Sequence, residues 1–401
     1  MQIDDLEFIN CKNVLHCIER DINQPSRAQI AKHVGLSRTA ISLIVTRLIK
    51  VGLIKELDKK IQGRGRPGIP LVIDGSIWHA IGAAYYSGTW SFVIVNLLGE
   101  IVTSHHMSVF STEQDTIIET LIQGLEYMRS ICPHKMIPGF GIGAPGLVDK
   151  KTGSILRADD LGWHEAIPIK AIVEKKTGLP VFIINRYQAS GLSEIRYGNH
   201  KNSPNIIYLG IGTGIAGSLY LGKKLFNTTN YRIGHMVIDP HGPRCGCGQI
   251  GCLQAMASEG ALLMFAREQR EKTPGFLSKT QGNNLTGKLI VQLAEEGDAD
   301  ARSCIEYISD SLAIGVSTLA NVVAPNEIII GGPLGDASTY LVDCVRERVE
   351  AHLLDWQNEV IAITQGTQGP QGYFGSAIGA ATFMLDQKLE LVMGANFHDL
   401  L

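Results

Sequence analysis

Three cysteines and one histidine lie close together in the second half of this 401-residue sequence. Cys245, Cys247 and Cys252 fall within eight positions, and His235 stands ten residues before the first of them. Three thiolates and one imidazole complete the tetrahedral ligand set of Zn²⁺, and Gly246 permits a tight turn between two ligands. Because all four ligands come from the protein, we predict a structural zinc site. Chance clustering and a redox-active pair are the alternatives.

Basic residues form a second group, at the N-terminus. Residues 1–70 contain 12 Lys and Arg against 7 Asp and Glu, a net charge of +5, whereas the rest of the chain has a net charge of −8. A basic segment joined to an acidic body is typical of a nucleic-acid-binding module attached to another domain. A solvated charged face is the alternative.

Local patterns in this basic segment predict a helix-turn-helix. Ser26 and Gln29 form a capping box that opens a short helix ending at about Val34. A longer helix is predicted over Arg38–Val51, because apolar residues recur there at helical spacing, namely Ile41, Ile44, Val45 and Leu48. An earlier helix is predicted over Asn13–Arg20.

The candidate DNA contacts lie on the opposite face of the longer helix and in the segment that follows it. A strand predicted at Gly52–Leu57 precedes the basic stretch Gly63–Gly68, whose arginines suit a narrow minor groove. We therefore predict a winged helix, with a flexible basic linker as the alternative for the wing. Short polar side chains beside arginines suit base edges and phosphates. The predicted contacts are Arg27, Ser37, Arg38, Thr39, Ser42, Thr46, Arg47, Arg64 and Arg66.

From about Trp78 onward, apolar runs alternate with helical patterns, which predicts an α/β body. The predicted strands are Ser91–Asn96, Phe140–Gly143, Val181–Ile184, Ile206–Ile211 and Glu327–Ile330. Glycine-rich turns are predicted at Gly141–Gly146, Gly210–Gly214 and Gly331–Gly335. Turns of this kind at strand ends bring backbone N–H groups close to a bound anion or sugar.

The segment from Gly234 to Leu253, with its histidine, Asp239-Pro240 and three cysteines, resembles the zinc signature of the ROK family (repressors, open reading frames and sugar kinases). The resemblance implies a two-lobed actin/hexokinase-like fold. The basic N-terminal segment resembles the repressor branch. We expect a winged helix-turn-helix over residues 1–74, lobe 1 over 75–190, and lobe 2 with the zinc knuckle over 191–401, with the final helix free to return to lobe 1.

Two departures from the kinase pattern predict that the chain is not an enzyme. Kinases of the family begin this domain with an Asp-x-Gly-Gly-Thr turn, and the equivalent stretch here is Gly82–Gly88. The catalytic aspartate of the family is replaced by Arg186, which follows Asn185. Because a guanidinium cannot accept the proton of a sugar hydroxyl, no catalytic residue is assigned.

The resemblance also implies where a ligand binds. Two further sugar-contacting glutamates of the family are replaced here by Arg232 and Gln254. The predicted effector-binding residues are Gly162, Trp163, Asn185, Arg186, Arg232, His235 and Gln254. We hypothesise an anionic effector, a sugar phosphate or a sugar acid, held by the arginines. The alternative is that these arginines pair with acids such as Glu194 or Asp160 and that the ligand is neutral or lost.

Taken together, these patterns favour a DNA-binding transcriptional regulator, a repressor of sugar uptake or catabolism genes. The expected partners are a double-stranded DNA operator, a sugar-like effector and further copies of the chain, as a homodimer or homotetramer. A cytoplasmic, membrane-free location is expected, because no apolar run reaches the roughly 18 residues of a membrane span. An active sugar kinase carrying a DNA-binding module and a regulator controlled by a protein partner are the alternatives.

Overall fold

The computed structural model describes residues 5–21, 23–58, 68–132, 135–200, 203–222, 224–226, 232–280, 285–354, 357, 360–366 and 374–394. These residues form a mixed α/β structure, which confirms the predicted fold class. Within them, no helix combines the length and the apolar character that a bilayer crossing requires.

Three helices open the fold: α1 (Asp5–Arg20), α2 (Arg27–Val34) and α3 (Arg38–Val51). The predicted bounds of α2 and α3 are confirmed. Helix α1 begins eight residues before the predicted Asn13. Its core-facing apolar stripe also begins before the predicted start, at Cys11, and continues through Val14, Leu15 and Ile18, all of them buried. This stripe packs α1 against α3 in one core.

An antiparallel hairpin follows, formed by β1 (Ile54–Glu56) and β2 (Leu71–Ile73). Strand β1 is shorter than predicted because Gly52, in the left-handed conformation with φ of 79°, ends α3. Residues 59–67 between the strands, including Arg64 and Arg66, lie outside the described residues. Three helices and a two-stranded hairpin are the elements of a winged helix.

Lobe 1 is built on a five-stranded mixed sheet with the order β5-β4-β3-β6-β9. Its strands are β3 (Trp78–Tyr86), β4 (Thr89–Asn96), β5 (Ile101–Ser108), β6 (Lys135–Ala144) and β9 (Val181–Asn185). A two-stranded ribbon lies beside it, formed by β7 (Leu147–Asp149) and β8 (Ser154–Arg157). The helices of this part are α4 (Gln114–Ile131), α5 (Ile169–Thr177) and α6 (Arg186–Tyr197).

Lobe 2 is built on a second five-stranded sheet with the order β12-β11-β10-β13-β14. Its strands are β10 (Ile206–Ile211), β11 (Ile215–Leu221), β12 (Lys224–Leu225), β13 (Glu327–Gly331) and β14 (Ala362–Gln365). Its helices are α7 (Leu253–Ala257), α8 (Glu259–Lys272), α9 (Gly287–Glu295), α10 (Ala299–Val323), α11 (Gly332–Gly335) and α12 (Thr339–Glu350). Strands overlapping all five of the predicted strands are therefore present in the two sheets.

The last helix, α13 (Gly375–Gly394), packs on the sheet of lobe 1, although it follows the strands of lobe 2 in the chain. Two glycines of that sheet allow the close approach. A Cβ atom at Gly82 would overlap the carbonyl oxygen of Ala377, and one at Gly141 would overlap that of Ala380. Gly82 and Gly141 thus serve helix packing within strands, whereas Gly141 was predicted to begin a glycine-rich turn.

The winged helix shares a hydrophobic core with lobe 1. Residues of α1 and α3 belong to the same buried cluster as residues of β3, β4 and α13. The indole N–H of Trp78 in β3 also donates to the carbonyl of Val51, at 2.9 Å. The boundary predicted between residues 190 and 191 falls inside α6, a helix that contacts both sheets.

Ser37 caps α3, and its removal should weaken the winged helix. The Ser37 hydroxyl accepts the backbone N–H of Ala40 at 3.1 Å. We expect Ser37→Ala to lower the free energy of unfolding by about 1 kcal/mol, because the first turn loses its side-chain acceptor. Ser37→Asp should retain the stability, since its carboxylate also accepts this bond. Urea unfolding followed by circular dichroism compares the two, and equal losses would contradict the capping role.

A buried histidine between two glutamates should make stability depend on pH. His200 Nδ1 lies 2.5 Å from Glu327 and Nε2 lies 3.1 Å from Glu194. Burial alone would lower the pKa of His200, but the hydrogen bonds and charges of Glu194 and Glu327 raise it to about 9. A raised histidine pKa stabilises the fold fully below pH 6.5, and the contribution disappears as pH rises to about 9.

We therefore expect wild-type chain to lose stability between pH 6.5 and 9, and His200→Gln to lose roughly 2–3 kcal/mol less over that window. Burial and Glu194 also raise the pKa of the nearby Asp336, to about 8. That group titrates in both proteins, so the difference between them reports on His200 together with its partner Glu194. Unfolding curves at several pH values provide the measurement, and identical pH slopes would refute the assignment.

Candidate functional site

The four predicted metal ligands come together in lobe 2. His235 ends a short 3₁₀ turn, Cys252 immediately precedes α7, and all four ligand atoms lie within 4.8 Å of one another. His235 Nδ1 is 3.6 Å from Cys245 Sγ, and Cys247 Sγ is 3.7 Å from Cys252 Sγ. Zinc–sulfur bonds of about 2.3 Å at tetrahedral angles separate ligand atoms by roughly 3.7 Å. The donor set therefore fits Zn²⁺ in both chemistry and spacing.

The backbone of this loop, the zinc knuckle (residues 235–252), is closed by its own hydrogen bonds. The N–H of Cys245 donates to Gln249 at 2.8 Å, and the N–H of Gly251 donates to Pro243 at 2.9 Å. Gly251 has φ of 69°, and a Cβ there would overlap the carbonyl oxygen of Asp239. Glycine at this position thus allows two strands of the knuckle to lie against each other.

An open cleft lies beside the knuckle, between the two lobes. Its lining includes five of the seven residues predicted to contact an effector, namely Asn185, Arg186, Arg232, His235 and Gln254.

The other two predicted residues, Gly162 and Trp163, do not line the cleft. Trp163 is buried in the core of lobe 1, and its indole N–H donates to the carbonyl of Thr112 at 3.2 Å. Gly162, with φ of 69°, ends the 3₁₀ turn Asp159–Leu161. The two residues therefore position a turn, and that turn carries Asp159 and Asp160 into the cleft. Sequence reasoning did not assign these aspartates a binding role.

Arg186 is buried, and both of its terminal nitrogens donate to the protein, whereas its Nε has no hydrogen-bond partner among the described residues. Its Nη2 donates to Asp160 at 2.8 Å and to the hydroxyl of Thr213 at 3.1 Å, and its Nη1 donates to the carbonyl of Tyr85 at 3.3 Å. The pairing with Asp160 is the alternative that the sequence had left open. At this position the charge is neutralised inside the protein.

Two tyrosines enclose the Arg186 guanidinium and close the turn at Gly210–Gly214. The guanidinium carbon lies 5.1 Å from the ring centre of Tyr86 and 5.2 Å from that of Tyr187. The hydroxyl of Tyr86 accepts the N–H of Thr213 at 3.0 Å, and the hydroxyl of Tyr187 donates to Gly214 at 3.2 Å. The Thr213 amide is therefore already paired. It is not available to a ligand, although backbone N–H groups of this turn were predicted to be.

The remaining charges of the cleft are unevenly paired. Arg157 forms an ion pair with Asp159, and its Nη2 also donates to Gly246 of the zinc knuckle at 3.2 Å. Arg232 forms no ion pair with any other residue that the structure describes. Three arginines and two aspartates line the cleft, which gives it a net charge of +1.

Two amide side chains hold the cleft walls in place. Asn185 caps α6 by accepting the N–H groups of Tyr187 and Gln188, and its Nδ2 donates to Gly146 at 2.7 Å. Gln254 accepts the N–H of Ile215 at 3.2 Å through Oε1. Hydrogen-bonding groups from both lobes, α6 and the zinc knuckle thus converge on one cleft.

The seven predicted DNA contacts that the structure describes divide into three groups. Ser37, Arg38, Thr39 and Thr46 are exposed on α3, whereas Ser42 and Arg47 are partly buried there. Arg27 is paired with Glu56 of β1 at 2.9 Å. Leu43, which was not predicted, is 69% exposed on the same helix. A face of small polar, basic and apolar groups on one helix is suited to a DNA major groove.

Comparison with known proteins agrees with this geometry. A putative xylose repressor of Caldicellulosiruptor sp. (strain Rt8B.4) is 31% identical over 314 residues, which are 76% of this chain and 78% of the relative. The xylose repressor of Bacillus spizizenii (strain ATCC 23059 / NRRL B-14472 / W23) is 26% identical over 402 residues, 98% of this chain and 100% of its own.

The fold has a counterpart among solved structures. The crystal structure of a ROK family transcriptional regulator, a homolog of the E. coli Mlc protein, superposes with a TM-score of 0.80 at 23% identity, covering 97% of this chain and 99% of that one. The sequence model of the ROK family matches residues 88–387. This chain therefore belongs to the ROK family.

Proposed function

We propose that this chain is a DNA-binding transcriptional repressor of sugar uptake or catabolism genes, with an operator affinity that responds to a sugar bound in the cleft. One combination of features carries the proposal. A winged helix with an exposed helix face is joined to a ROK domain, and the catalytic position of that domain holds Arg186, which is paired with Asp160. The two relatives named as xylose repressors support a pentose as the effector.

The DNA contacts follow from the exposed surface of α3. Thr39, Leu43 and Thr46 present two hydroxyls and one apolar side chain, which suit base edges and the thymine methyl group. Arg38 and Arg47 flank them and suit phosphates. Arg64 and Arg66 of the wing are proposed to enter the adjacent minor groove.

Two features argue against phosphoryl transfer by this chain. The catalytic position carries a guanidinium held by Asp160, so it offers no proton acceptor. Tyr86 and Tyr187 occupy the space beside Gly212, where a Cβ would lie within 3 Å of both hydroxyls, and Tyr86 pairs the Thr213 amide. We propose that the cleft recognises a sugar without phosphorylating it.

The cleft favours a neutral sugar over the anionic ligand first hypothesised. Arg186 and Arg157 are each paired with an aspartate, so Arg232 alone is left to hold an anion. Asp159 and Asp160 offer acceptors to hydroxyl groups, and the Gln254 amide offers a donor. Polar groups of both kinds suit a polyol better than a carboxylate or phosphate.

His235, Cys245, Cys247 and Cys252 would hold Zn²⁺ as a closed structural site. When bound, the ion supplies rigidity to the zinc knuckle and fixes the tautomer of its histidine. With Nδ1 facing the cysteines, Nε2 of His235 carries the proton and is a donor in the wall of the cleft. The knuckle would thus present a fixed hydrogen-bond donor to the sugar.

Regulation would follow from linkage between sugar and DNA. A sugar contacting both lobes changes their closure, and with it the spacing of two winged helices in a homodimer or homotetramer. Such coupling typically changes operator affinity 5–150-fold. The operator should contain paired half-sites about one or more helical turns apart. A cytoplasmic location is part of the proposal, since the operator is chromosomal DNA.

Selection from random DNA duplexes, followed by fluorescence anisotropy with and without D-xylose, tests the proposal. We expect a specific sequence to emerge, and D-xylose to change its dissociation constant at least fivefold. Thr46→Asp on α3 should weaken binding at least tenfold, whereas Thr318→Asp, the same change at an exposed threonine of α10, should not. No enrichment over non-specific binding, or equal binding by the two variants, would overturn the proposal.

Calorimetry decides the charge of the effector. We expect D-xylose to bind more tightly than D-xylonate and D-xylose 5-phosphate, and Arg232→Gln to leave that order unchanged. Tighter binding of either anion, lost in Arg232→Gln, would restore the anionic hypothesis. ATP consumption on xylose or glucose would instead favour the sugar kinase alternative.

A further inference from the structure

Helix α6 has different partners at its two ends. Its N-terminal residues Asn185 and Arg186 line the cleft. At its C-terminal end, Arg196 Nε donates to Glu19 of α1 at 2.6 Å, and Arg196 Nη1 donates to Asp386 of α13. Twelve helical residues span about 18 Å, so one rigid element reaches from the cleft to the winged helix.

Contacts with α13 along its length keep α6 straight. A Cβ at Gly379 would overlap the carbonyl oxygen of Ala189, so the two backbones touch. The hydroxyls of Ser190 and Ser376 lie 2.6 Å apart, and the Thr382 hydroxyl donates to Tyr197 at 3.2 Å. A displacement at the cleft end is therefore carried to the Arg196 end without being absorbed by bending.

The cleft end of α6 is tied to both lobes. Arg186 donates to Asp160 of lobe 1 and to Thr213 of lobe 2. Further along the helix, Glu194 contacts His200, which in turn contacts Glu327 of the second sheet. A ligand that changes the distance between the lobes must therefore act on α6.

At the other end of α6, the ion pairs of Arg196 form a joint that fixes the orientation of the neighbouring helices. The Arg196 side chain is 15% exposed and its guanidinium binds two carboxylates from two different helices, Glu19 and Asp386. A planar guanidinium fixes both partners at set angles, which a lysine ammonium does not. Burial of this ion pair also makes the loss of one partner costly. Arg196 thus sets the position of α1 relative to α6.

Helix α1 connects the Arg196 ion pairs to α3. A small cavity lies beside the ion pairs and is bordered by Leu15, Glu19, Ile73, Leu97, Arg196 and Leu385. Helix α1 in turn shares a buried core with α3, through Val14 and Ile18 on one side and Val45 and Leu48 on the other. A shift of α1 therefore shifts the exposed face of α3.

From this geometry we propose that α6 couples the cleft to the DNA-binding face, with the Arg196–Glu19 ion pair as the joint that passes its displacement to α1 and α3. The inference rests on the proposed function, since it assigns the route by which a sugar changes operator affinity. Arg196 and Glu19 are positioning residues, because neither lines the cleft nor lies on α3.

A double-mutant cycle tests the joint without requiring the identity of the effector. Asp160→Asn removes the negative charge that pairs with Arg186 at the cleft end, and Glu19→Gln weakens the Arg196–Glu19 ion pair. We expect Asp160→Asn to change the dissociation constant of the selected operator duplex at least fivefold in the wild-type background. In the Glu19→Gln background the change should be less than twofold. D-xylose is also added to each protein. It should change the dissociation constant at least fivefold in the wild-type background and less than twofold in the Glu19→Gln background.

Glu56→Gln is the matched control. Glu56 also forms an ion pair in the winged helix, but with Arg27 of α2, so its loss leaves the joint intact. The fivefold effect of Asp160→Asn should persist in this background. Arg196→Lys serves as a second joint variant, and urea unfolding and metal content verify that each protein is folded.

The outcomes separate the two proposals. An effect of Asp160→Asn that is below twofold in wild type, or equal in the Glu19→Gln and Glu56→Gln backgrounds, overturns the coupling route while DNA binding stands. Absence of specific DNA binding by the wild-type chain overturns the proposed function, and the coupling route with it.

Discussion

Replacing Cys252 with serine should remove the metal and loosen the wall of the cleft. Cys252 is fully buried, immediately precedes α7 and supplies one of four ligands, so its loss opens a closed site. We expect zinc content to fall from about one ion per chain to near zero. D-xylose affinity should fall at least tenfold, because His235 lines the cleft and depends on the ion for its orientation.

Metal analysis by mass spectrometry and calorimetry with D-xylose provide these measurements. Cys304→Ser is the matched control, since Cys304 is also fully buried but lies in α10, away from the cluster. It should retain its zinc. A Cys252→Ser protein with wild-type metal content would show that the four donors do not act as one site.

The zinc donors could be predicted from sequence because they are close in the chain. His235 and the three cysteines lie within 18 positions, and the glycines between them are needed by the tight backbone, as the overlap expected at Gly251 shows. Local spacing therefore carries nearly all the information for this cluster. The helix-turn-helix is similar, since caps and apolar periodicity define α2 and α3 to the residue.

The cleft could be predicted only in part, because its groups come from distant segments. Arg186 was identified by its position after a strand, but its partner Asp160 lies 26 residues earlier on a separate turn. Gly162 and Trp163 were assigned to the ligand, whereas they position that turn. No local pattern distinguishes a residue that contacts a ligand from one that supports its neighbour.

Glycine-rich segments were the least informative pattern. Gly82 and Gly141 are required where α13 lies on the sheet, a contact with residues more than 230 positions later in the chain. Gly212 lies beside two tyrosine hydroxyls. Glycine at a strand end shows that something approaches the backbone closely, and only the fold shows whether that is a helix, a side chain or a ligand.

The position that distinguishes this chain from a kinase should also matter for stability. We expect Arg186→Met to lower the free energy of unfolding by roughly 3–5 kcal/mol, because it breaks a largely buried ion pair and removes the group between two tyrosine rings. Arg157→Met is the control, because its ion pair in the same cleft is 40% exposed on the arginine side and should contribute less than about 1 kcal/mol.

Arg186→Asp asks whether the missing carboxylate is the sole obstacle to catalysis. It restores the residue type of the family's catalytic base but places it opposite Asp160, so the two carboxylates repel each other. Tyr86 still pairs the Thr213 amide and fills the space beside Gly212. We therefore expect no ATP consumption on xylose or glucose above the wild-type background in a coupled assay. Turnover by Arg186→Asp would show that the tyrosines leave room for a nucleotide and that one substitution separates recognition from phosphorylation.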